Sequence, residues 1–237
     1  MIQTAVASLQ TYFLLQQKDP GPYRRFKAGP MAVELAWYQA EGLGNVSAIR
    51  GKAMAGLMTM ETLVIDPFYR DMPLFSFDYI AAMGKHTLLV EYYDTLSTAD
   101  AFDQTPLLAA KAQAASLPDH DLGQHWYDHL KLAPSFAKRG KKSHVPGMEA
   151  AFQESLKAYL ALCAQQPPLT ADQTEEKRAK AQAYVTGLLQ QGGPSTDAFV
   201  KALGPEKTEA LFTRMVFGTR ETQGSSLRRS SRPSMPQ

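Results

Sequence analysis

Cysteine is almost absent from this chain of 237 residues: Cys163 is the only one. A single thiol excludes an internal disulfide framework and any metal site built from several cysteines. Cys163 lies in the apolar run Tyr-Leu-Ala-Leu-Cys-Ala, so we predict a buried helical position for it.

Long hydrophobic runs are also missing. Every apolar run is well short of the roughly 18 residues that a membrane-spanning helix needs, so we expect none. The first residues lack a basic region and a small-residue cleavage site, which argues against a secretory signal. We therefore expect a cytoplasmic protein, or one of the plastid stroma if the source is eukaryotic, and a monomer.

The chain has little excess of either charge. Its 25 Lys and Arg nearly balance its 23 Asp and Glu, which gives a formal net charge of +2. This predicts no general attraction to nucleic acid or to a membrane, so any basic surface must be local. Two clusters are candidates for docking an acidic partner, with solvated loops as the alternative: Arg24 and Arg25, and Lys138, Arg139, Lys141 and Lys142.

Several enzyme motifs are absent. No Gly-rich phosphate loop follows a strand, and neither a G-x-S-x-G elbow nor an HExxH pattern occurs. His125 and His129 have the i, i+4 spacing of metal ligands on a helix. Without a supporting motif or a neighbouring cysteine, we predict no metal site there.

The segment from Glu61 to Thr95 carries the strongest signal. We predict a hairpin that pairs Leu74 to Ala82 with His86 to Asp94, around a type II′ turn at Gly84-Lys85. Side chains alternate along a strand, so Ser76 and Asp78 should lie on one face and the neighbouring aromatic rings on the other.

In that register Asp78 lies opposite Glu91, where two like charges destabilise a sheet. Burial and mutual repulsion would raise a carboxyl pKa, which is what an acid–base site requires. The alternative is a shifted register or a solvated face that keeps the two acids apart. Glu61 is a third acid in an apolar strand, and we expect it near Asp78.

The remaining pattern predicts a three-layer α/β/α sandwich with a central antiparallel sheet. A first helix spans Ile2 to Gln17, strands follow from Met31 to Thr95, and the pattern then turns helical. The predicted helices are Thr98 to Ser116, Gly147 to Gln166, Thr170 to Gln191 with Thr170 as its N-cap, and Thr196 to Phe217 with a break at Gly204-Pro205. We expect one domain over 1–219 and a disordered Ser/Arg/Pro-rich tail over 220–237.

The segment Asp66 to Lys85, DPFYRDMPLFSFDYIAAMGK, resembles the ferredoxin-dependent bilin reductases, the family of phycocyanobilin:ferredoxin oxidoreductase. Its proline-rich approach, Pro-Leu-Phe step, strand aspartate and Gly-containing turn match that family's order. The later helices are similar in order and spacing, so the resemblance covers roughly Met31 to Thr219.

The resemblance implies that a linear tetrapyrrole such as biliverdin binds between the sheet and the C-terminal helices. Ferredoxin or flavodoxin would supply the electrons, with no bound flavin, nicotinamide or metal. The family's proton-donating aspartate corresponds to Asp78. The resemblance does not require Glu91 or Glu61, but we expect both to tune Asp78. Substrate contacts are expected from Phe75, Ser76, and the propionate-pairing candidates Arg24, Arg50 and Lys52.

This sequence departs from the family in three places. An ungapped match puts Glu61 where members have histidine or asparagine, and Ile49 where some have glutamate. The loop that often reads Asn-Asp-Lys is here Gly-Gly-Pro-Ser, residues 192–195. A red chlorophyll catabolite reductase-like activity, a bilin-binding protein without activity, and an unrelated α/β/α protein therefore stay open as alternatives.

Overall fold

The computed structural model describes residues 1–98 and 101–220. Within these ranges the chain forms an eight-stranded antiparallel sheet with helices on both faces. The three-layer sandwich predicted from the sequence is confirmed. Apart from Arg220, the predicted disordered tail lies outside the described residues.

The sheet is a meander in which consecutive strands pair from β3 to β8 and β1 and β2 both pair with β3. Sequential hairpins dominate because each apolar run ends in a short turn rather than a crossover. The strands are β1 Leu15–Lys18, β2 Arg25–Ala28, β3 Met31–Ala40, β4 Gly44–Ala53, β5 Met58–Asp66, β6 Leu74–Ala82, β7 Lys85–Tyr93 and β8 Phe136–Gly140.

Among the described residues, six α-helices cover the two faces: α1 Ile2–Tyr12, α2 Thr105–Ala112, α3 Val145–Gln165, α4 Ala171–Gln191, α5 Pro194–Leu203 and α6 Pro205–Leu211. A π-helical turn, Phe212–Val216, continues from α6. Such turns are frequent at functional sites. No helix within the described ranges is long and apolar enough to cross a membrane.

Helices α1, α2 and α3 pack on one face, which we call the α3 face. Phe77 of β6 is fully buried there, and its ring stacks on Phe152 of α3 with centroids 3.8 Å apart. Phe75 stacks in the same way on Tyr159, whose hydroxyl donates a hydrogen bond to the Pro73 carbonyl. Cys163 is buried in this layer, as predicted.

Helices α4, α5 and α6 pack on the opposite face, which we call the α4 face. Thr170 caps α4 as predicted: its hydroxyl accepts a hydrogen bond from the Gln173 backbone amide, and its own backbone amide donates one to the Gln173 side-chain oxygen. The π-helical turn that follows α6 is held to the sheet, because Asn45 and Ser47 of β4 donate hydrogen bonds to the Val216 carbonyl. These contacts hold the C-terminal helices over the sheet.

Two helix predictions were too long. The first helix ends at Tyr12, and Leu15–Lys18 pairs instead with the end of β3. The helix expected from Thr98 begins only at Thr105, next to a proline that favours a helix start. The Thr98 amide is used differently, because it donates a hydrogen bond to the buried Asp71 carboxylate.

Candidate active site

The hairpin of β6 and β7 has a register two residues from the one predicted. Ala82 pairs with Lys85, so the turn residues are Met83 and Gly84, both with positive φ, rather than Gly84 and Lys85. Asp78 lies opposite Leu89, and Glu91 lies opposite Ser76. The predicted direct pairing of the two acids is wrong, but a shift of two residues keeps both on the same face of the sheet.

That shared face lines a cavity of about 230 Å³ between the sheet and the α4 face helices. Strands β4 to β7 form the floor, α4, α5 and the π-helical turn form the roof, and the loop before β8 forms one side. The polar and titratable side chains that line it are Thr62, Ser76, Asp78, Thr87, Glu91, Tyr93, His120, Tyr127, Tyr184 and Thr196.

Asp78 is partly accessible from this cavity, yet apolar neighbours surround its carboxyl. Burial of the carboxyl raises the pKa of Asp78 to about 6. The hydrogen bond from the Thr62 hydroxyl lowers this pKa, and the charge of Glu91 raises it. The Thr62 oxygen lies 2.5 Å from Asp78 Oδ1. A carboxylic acid with this pKa can give and regain a proton near neutral pH.

Glu91 is buried, and polar groups hold both of its carboxylate oxygens. The Lys131 ammonium lies 2.8 Å from one oxygen, and the Tyr93 hydroxyl donates a hydrogen bond of 2.8 Å to the other. Burial alone would lower the pKa of Lys131, but Glu91 and Asp128 raise it overall. These contacts hold the Glu91 carboxylate in place. On β7, Glu91 lies two residues from Leu89, the residue that pairs with Asp78.

Tyrosines form an aromatic wall beside the two acids. Tyr93 and Tyr184 have ring centroids 4.6 Å apart, and Tyr127 packs edge-on against both. Burial raises the pKa of Tyr127 to about 12 and the pKa values of Tyr93 and Tyr184 well above 10. These hydroxyls stay protonated near neutral pH, so the wall offers flat apolar surface and hydrogen-bond donors.

Four predicted site residues lie on the other face. Glu61 is paired with Arg50 at 3.7 Å and with the N-terminal amine at 3.2 Å, so the expectation that it lies near Asp78 is wrong. Its neighbour Thr62 holds that position instead, because adjacent strand residues alternate between faces. Arg50 and Lys52 alternate onto the α3 face of β4, and Phe75 is buried under α3.

Only three of the predicted site residues, Asp78, Glu91 and Ser76, line the cavity. Arg24, also expected to pair a propionate, is an exposed residue bound to Asp19. On the cavity side, Arg139 of β8 pairs with Thr87 and places an exposed cation at the sheet edge.

The prediction that Lys138 belongs to an exposed basic cluster is wrong. It is 6% exposed, and its ammonium lies 2.6 Å from Asp119 and 3.2 Å from the Leu117 carbonyl. The cause is strand alternation: residues 136–140 form edge strand β8, which turns Lys138 inward and Arg139 outward. Arg139, Lys141 and Lys142 are exposed, as are Arg24 and Arg25.

The sequence analysis did not single out Thr62, His120, Tyr127 or Lys131 as parts of the site. Thr62 follows from the register of β5 with β6. His120 and Tyr127 reach the cavity through the loop before β8, and Lys131 of the same loop binds Glu91. Tertiary folding alone brings that loop beside Glu91. The predicted i, i+4 helical spacing of His125 and His129 is not realised, since this loop holds only a short 3-10 turn at Asp128–Leu130.

A wider cleft of about 560 Å³ lies on the α3 face, between α1 and strands β2 to β4. Its exposed arginines Arg24 and Arg25 are already paired with Asp19 and Glu34. The smaller cavity is the stronger candidate because a carboxyl with a raised pKa, a buried ion pair and aromatic side chains converge there from both layers.

The fold as a whole has a counterpart among solved structures. No family model and no curated protein sequence matches the chain. Among solved structures, it is similar to phytochromobilin synthase from tomato in complex with biliverdin, with a TM-score of 0.75 and 12% identity, over 92% of this chain and 82% of that one. This chain has the fold of a ferredoxin-dependent bilin reductase. The fold implied by the sequence resemblance is thereby confirmed.

Proposed function

We propose that this protein reduces a linear tetrapyrrole, biliverdin or a related bilin, with electrons from ferredoxin. The observation that carries the proposal is Asp78: a carboxyl with a pKa of about 6 on the floor of a cavity between the sheet and the C-terminal helices. The fold shared with a structure that holds biliverdin supports the substrate class.

Reduction of one double bond requires two electrons and two protons. Each electron would come singly from reduced ferredoxin or flavodoxin. The first gives a radical that takes one proton at a pyrrole position, and the second converts the protonated radical to a closed-shell anion that takes the other proton. Asp78 supplies the proton and becomes a carboxylate, which regains a proton from solvent through the open side of the cavity. No flavin, nicotinamide or metal enters this scheme.

Glu91 acts on Asp78 through its charge. Lys131 and Tyr93 hold the Glu91 carboxylate in place, and its negative charge favours the protonated form of Asp78. A general acid works best when its pKa lies near the working pH, which this arrangement provides. Glu91 is therefore a positioning and tuning residue, and Asp78 is the proton donor.

The cavity wall suits a flat conjugated ligand. Tyr93, Tyr127 and Tyr184 present aromatic surface, and Ser76 and Thr87 add small polar groups along the floor. The cation that would pair a propionate is Arg139 at the β8 edge, since the guanidinium offers a fork of donors to a carboxylate. The exposed residues Arg24 and Arg25 are the candidates for docking an acidic electron donor.

Two measurements test the proposal in sequence. Biliverdin is first titrated into the protein, and a shift in its absorption spectrum shows binding. The complex is then incubated without oxygen with reduced ferredoxin, and the products are identified by chromatography. A reduced bilin supports the proposal, whereas a bound pigment that never changes would favour a binding protein without activity.

The main alternative to this proposal is a red chlorophyll catabolite reductase-like activity, which would use the same cavity for another linear tetrapyrrole. Running the same anaerobic assay with both substrates separates the two. Reduction of biliverdin alone supports the proposed class, and reduction of the chlorophyll catabolite alone contradicts it.

A further inference from the structure

One end of the sheet differs from the rest of the surface in both charge and apolar exposure. Seven strands are in register in a single row across this end. All the turns and strand ends beyond that row therefore lie side by side. From β2 to β8, the row is Lys27, Ala32, Lys52, Thr59, Ala81, His86 and Gly140.

Large apolar side chains protrude from two neighbouring turns beyond this row. Met54 and Leu57 in the β4–β5 turn are 58% and 71% exposed, and Met83 in the β6–β7 turn is 87% exposed. Met58 of the first hairpin pairs with Ala82 of the second, so the two tips are adjacent. We call Met54, Leu57 and Met83 the apolar tips.

The backbone of these turns is held in an unfavourable conformation. Met54, Ala55 and Met83 have φ angles of 52°, 52° and 51°, in the left-handed region where glycine or asparagine is usual. A residue with a side chain is strained there, because its Cβ crowds the following carbonyl oxygen. The chain thus places methionine at turn positions where a glycine would be less strained.

Positive charge surrounds the apolar tips. Segments 27–32, 52–59, 81–86 and 139–144 contain six Lys or Arg and no Asp or Glu, whereas the whole chain has a net charge of only +2. Glu149 of α3 lies at the side of this end, in the cleft that also holds Lys52. The six basic residues are Lys27, Lys52, Lys85, Arg139, Lys141 and Lys142, and all are exposed.

We propose that this end of the sheet docks on an anionic lipid surface. Exposed apolar side chains can enter the boundary between headgroups and acyl chains, and each nearby lysine adds about 1 kcal/mol of attraction to anionic lipid. The proposal replaces the expectation, drawn from net charge, that the protein has no membrane partner.

A lipid surface fits better than an acidic protein for two reasons. Five of the six basic residues are lysines, which are depleted in protein interfaces, whereas arginine is enriched there. The apolar side chains also stand on separate projecting turns rather than lining a groove. Docking would bring the bilayer close to the candidate cavity, because Met60, Ile80 and Thr87 line it one residue inside the row.

Co-sedimentation with vesicles tests the proposal without any tetrapyrrole. The wild-type protein should bind vesicles of phosphatidylcholine mixed with phosphatidylglycerol far more strongly than vesicles of phosphatidylcholine alone. The double variant Leu57→Ser/Met83→Ser should lose most of this binding. The variant Lys141→Gln/Lys142→Gln should lose about fivefold per lysine, the factor that corresponds to about 1 kcal/mol.

Matched controls lie away from this end. Leu14→Ser removes a leucine that is 66% exposed, next to the β1 residue that pairs with Ala40 at the opposite end of the sheet. Lys157→Gln removes an exposed lysine from the middle of α3. Both controls should bind like the wild type, and thermal melting of every variant checks that the fold is retained.

Three results would overturn the proposal. The wild type could fail to bind anionic vesicles, the apolar-tip variant could bind as well as the wild type, or the controls could lose as much binding as the test variants. Failure to bind vesicles together with tip-dependent binding to an acidic protein such as reduced ferredoxin would assign this end to a protein partner instead.

Discussion

The charge of Glu91 should add to the effect of burial on the pKa of Asp78, and the change Glu91→Gln isolates that contribution. Asp78 lies opposite Leu89, so Glu91 is its diagonal neighbour, at a distance of about 7 to 8 Å in an antiparallel pair. At an effective dielectric constant of about 20, a unit charge at that distance contributes about 2 kcal/mol. Water in the cavity screens part of this.

We therefore expect Glu91→Gln to lower the pKa of Asp78 from about 6 by about one unit. Lys131→Met should have the opposite sign, because it removes the positive charge that lies 2.8 Å from Glu91. The two variants form a matched pair: they break the same ion pair but change the local charge in opposite directions.

The pKa can be measured without substrate, by following side-chain carboxyl carbons in NMR spectra as pH is changed. The signal of Asp78 is identified by its disappearance in Asp78→Asn. If the pKa stays at about 6 in Glu91→Gln, or moves in the same direction in both variants, the charge of Glu91 does not tune Asp78 and the electrostatic account of the site is wrong.

Three further changes test the site and the fold. Thr62→Val removes the hydroxyl that donates to Asp78, so the pKa of Asp78 should rise and the fall of turnover with increasing pH should begin at a higher pH. Phe77→Ala leaves a cavity in the α3-face core and should cost about 3 to 5 kcal/mol of unfolding free energy in urea titrations. Thr170→Ala removes the cap of α4 and should cost about 1 kcal/mol in the same titrations, whereas Thr170→Ser should cost less.

Local patterns predicted most of the fold. The alternation of apolar and polar residues located the strands, and β6 was predicted with its observed bounds, Leu74–Ala82. The cap at Thr170 and the break at Gly204-Pro205 also lie where they were predicted, because capping and helix breaking depend on neighbouring residues. The errors at helix ends arose because the contacts of Thr98 with Asp71 and of β1 with β3 override local preference. Strands β2 and β8 were not predicted.

The site was predicted less completely, since it depends on which residues face each other across strands. Alternation placed Asp78 and Ser76 on one face correctly, but the register was two residues off because the turn uses Met83 with positive φ, an unusual choice. Glu61 was assigned to the wrong face relative to Asp78. Lys131 and Tyr127 reach the site from a loop with no periodic pattern. They lie far from the hairpin in the sequence, so no local pattern indicated that they would be close to it in the fold.

The central claim is that Asp78 gives the proton in tetrapyrrole reduction. Its most direct test compares the wild type with Asp78→Asn, both loaded with biliverdin and given reduced ferredoxin without oxygen. We predict equal binding of biliverdin, a reduced product from the wild type, and either no product or a stalled radical from the variant, because the amide cannot supply the proton. A variant that makes the same product at the wild-type rate would contradict the claim.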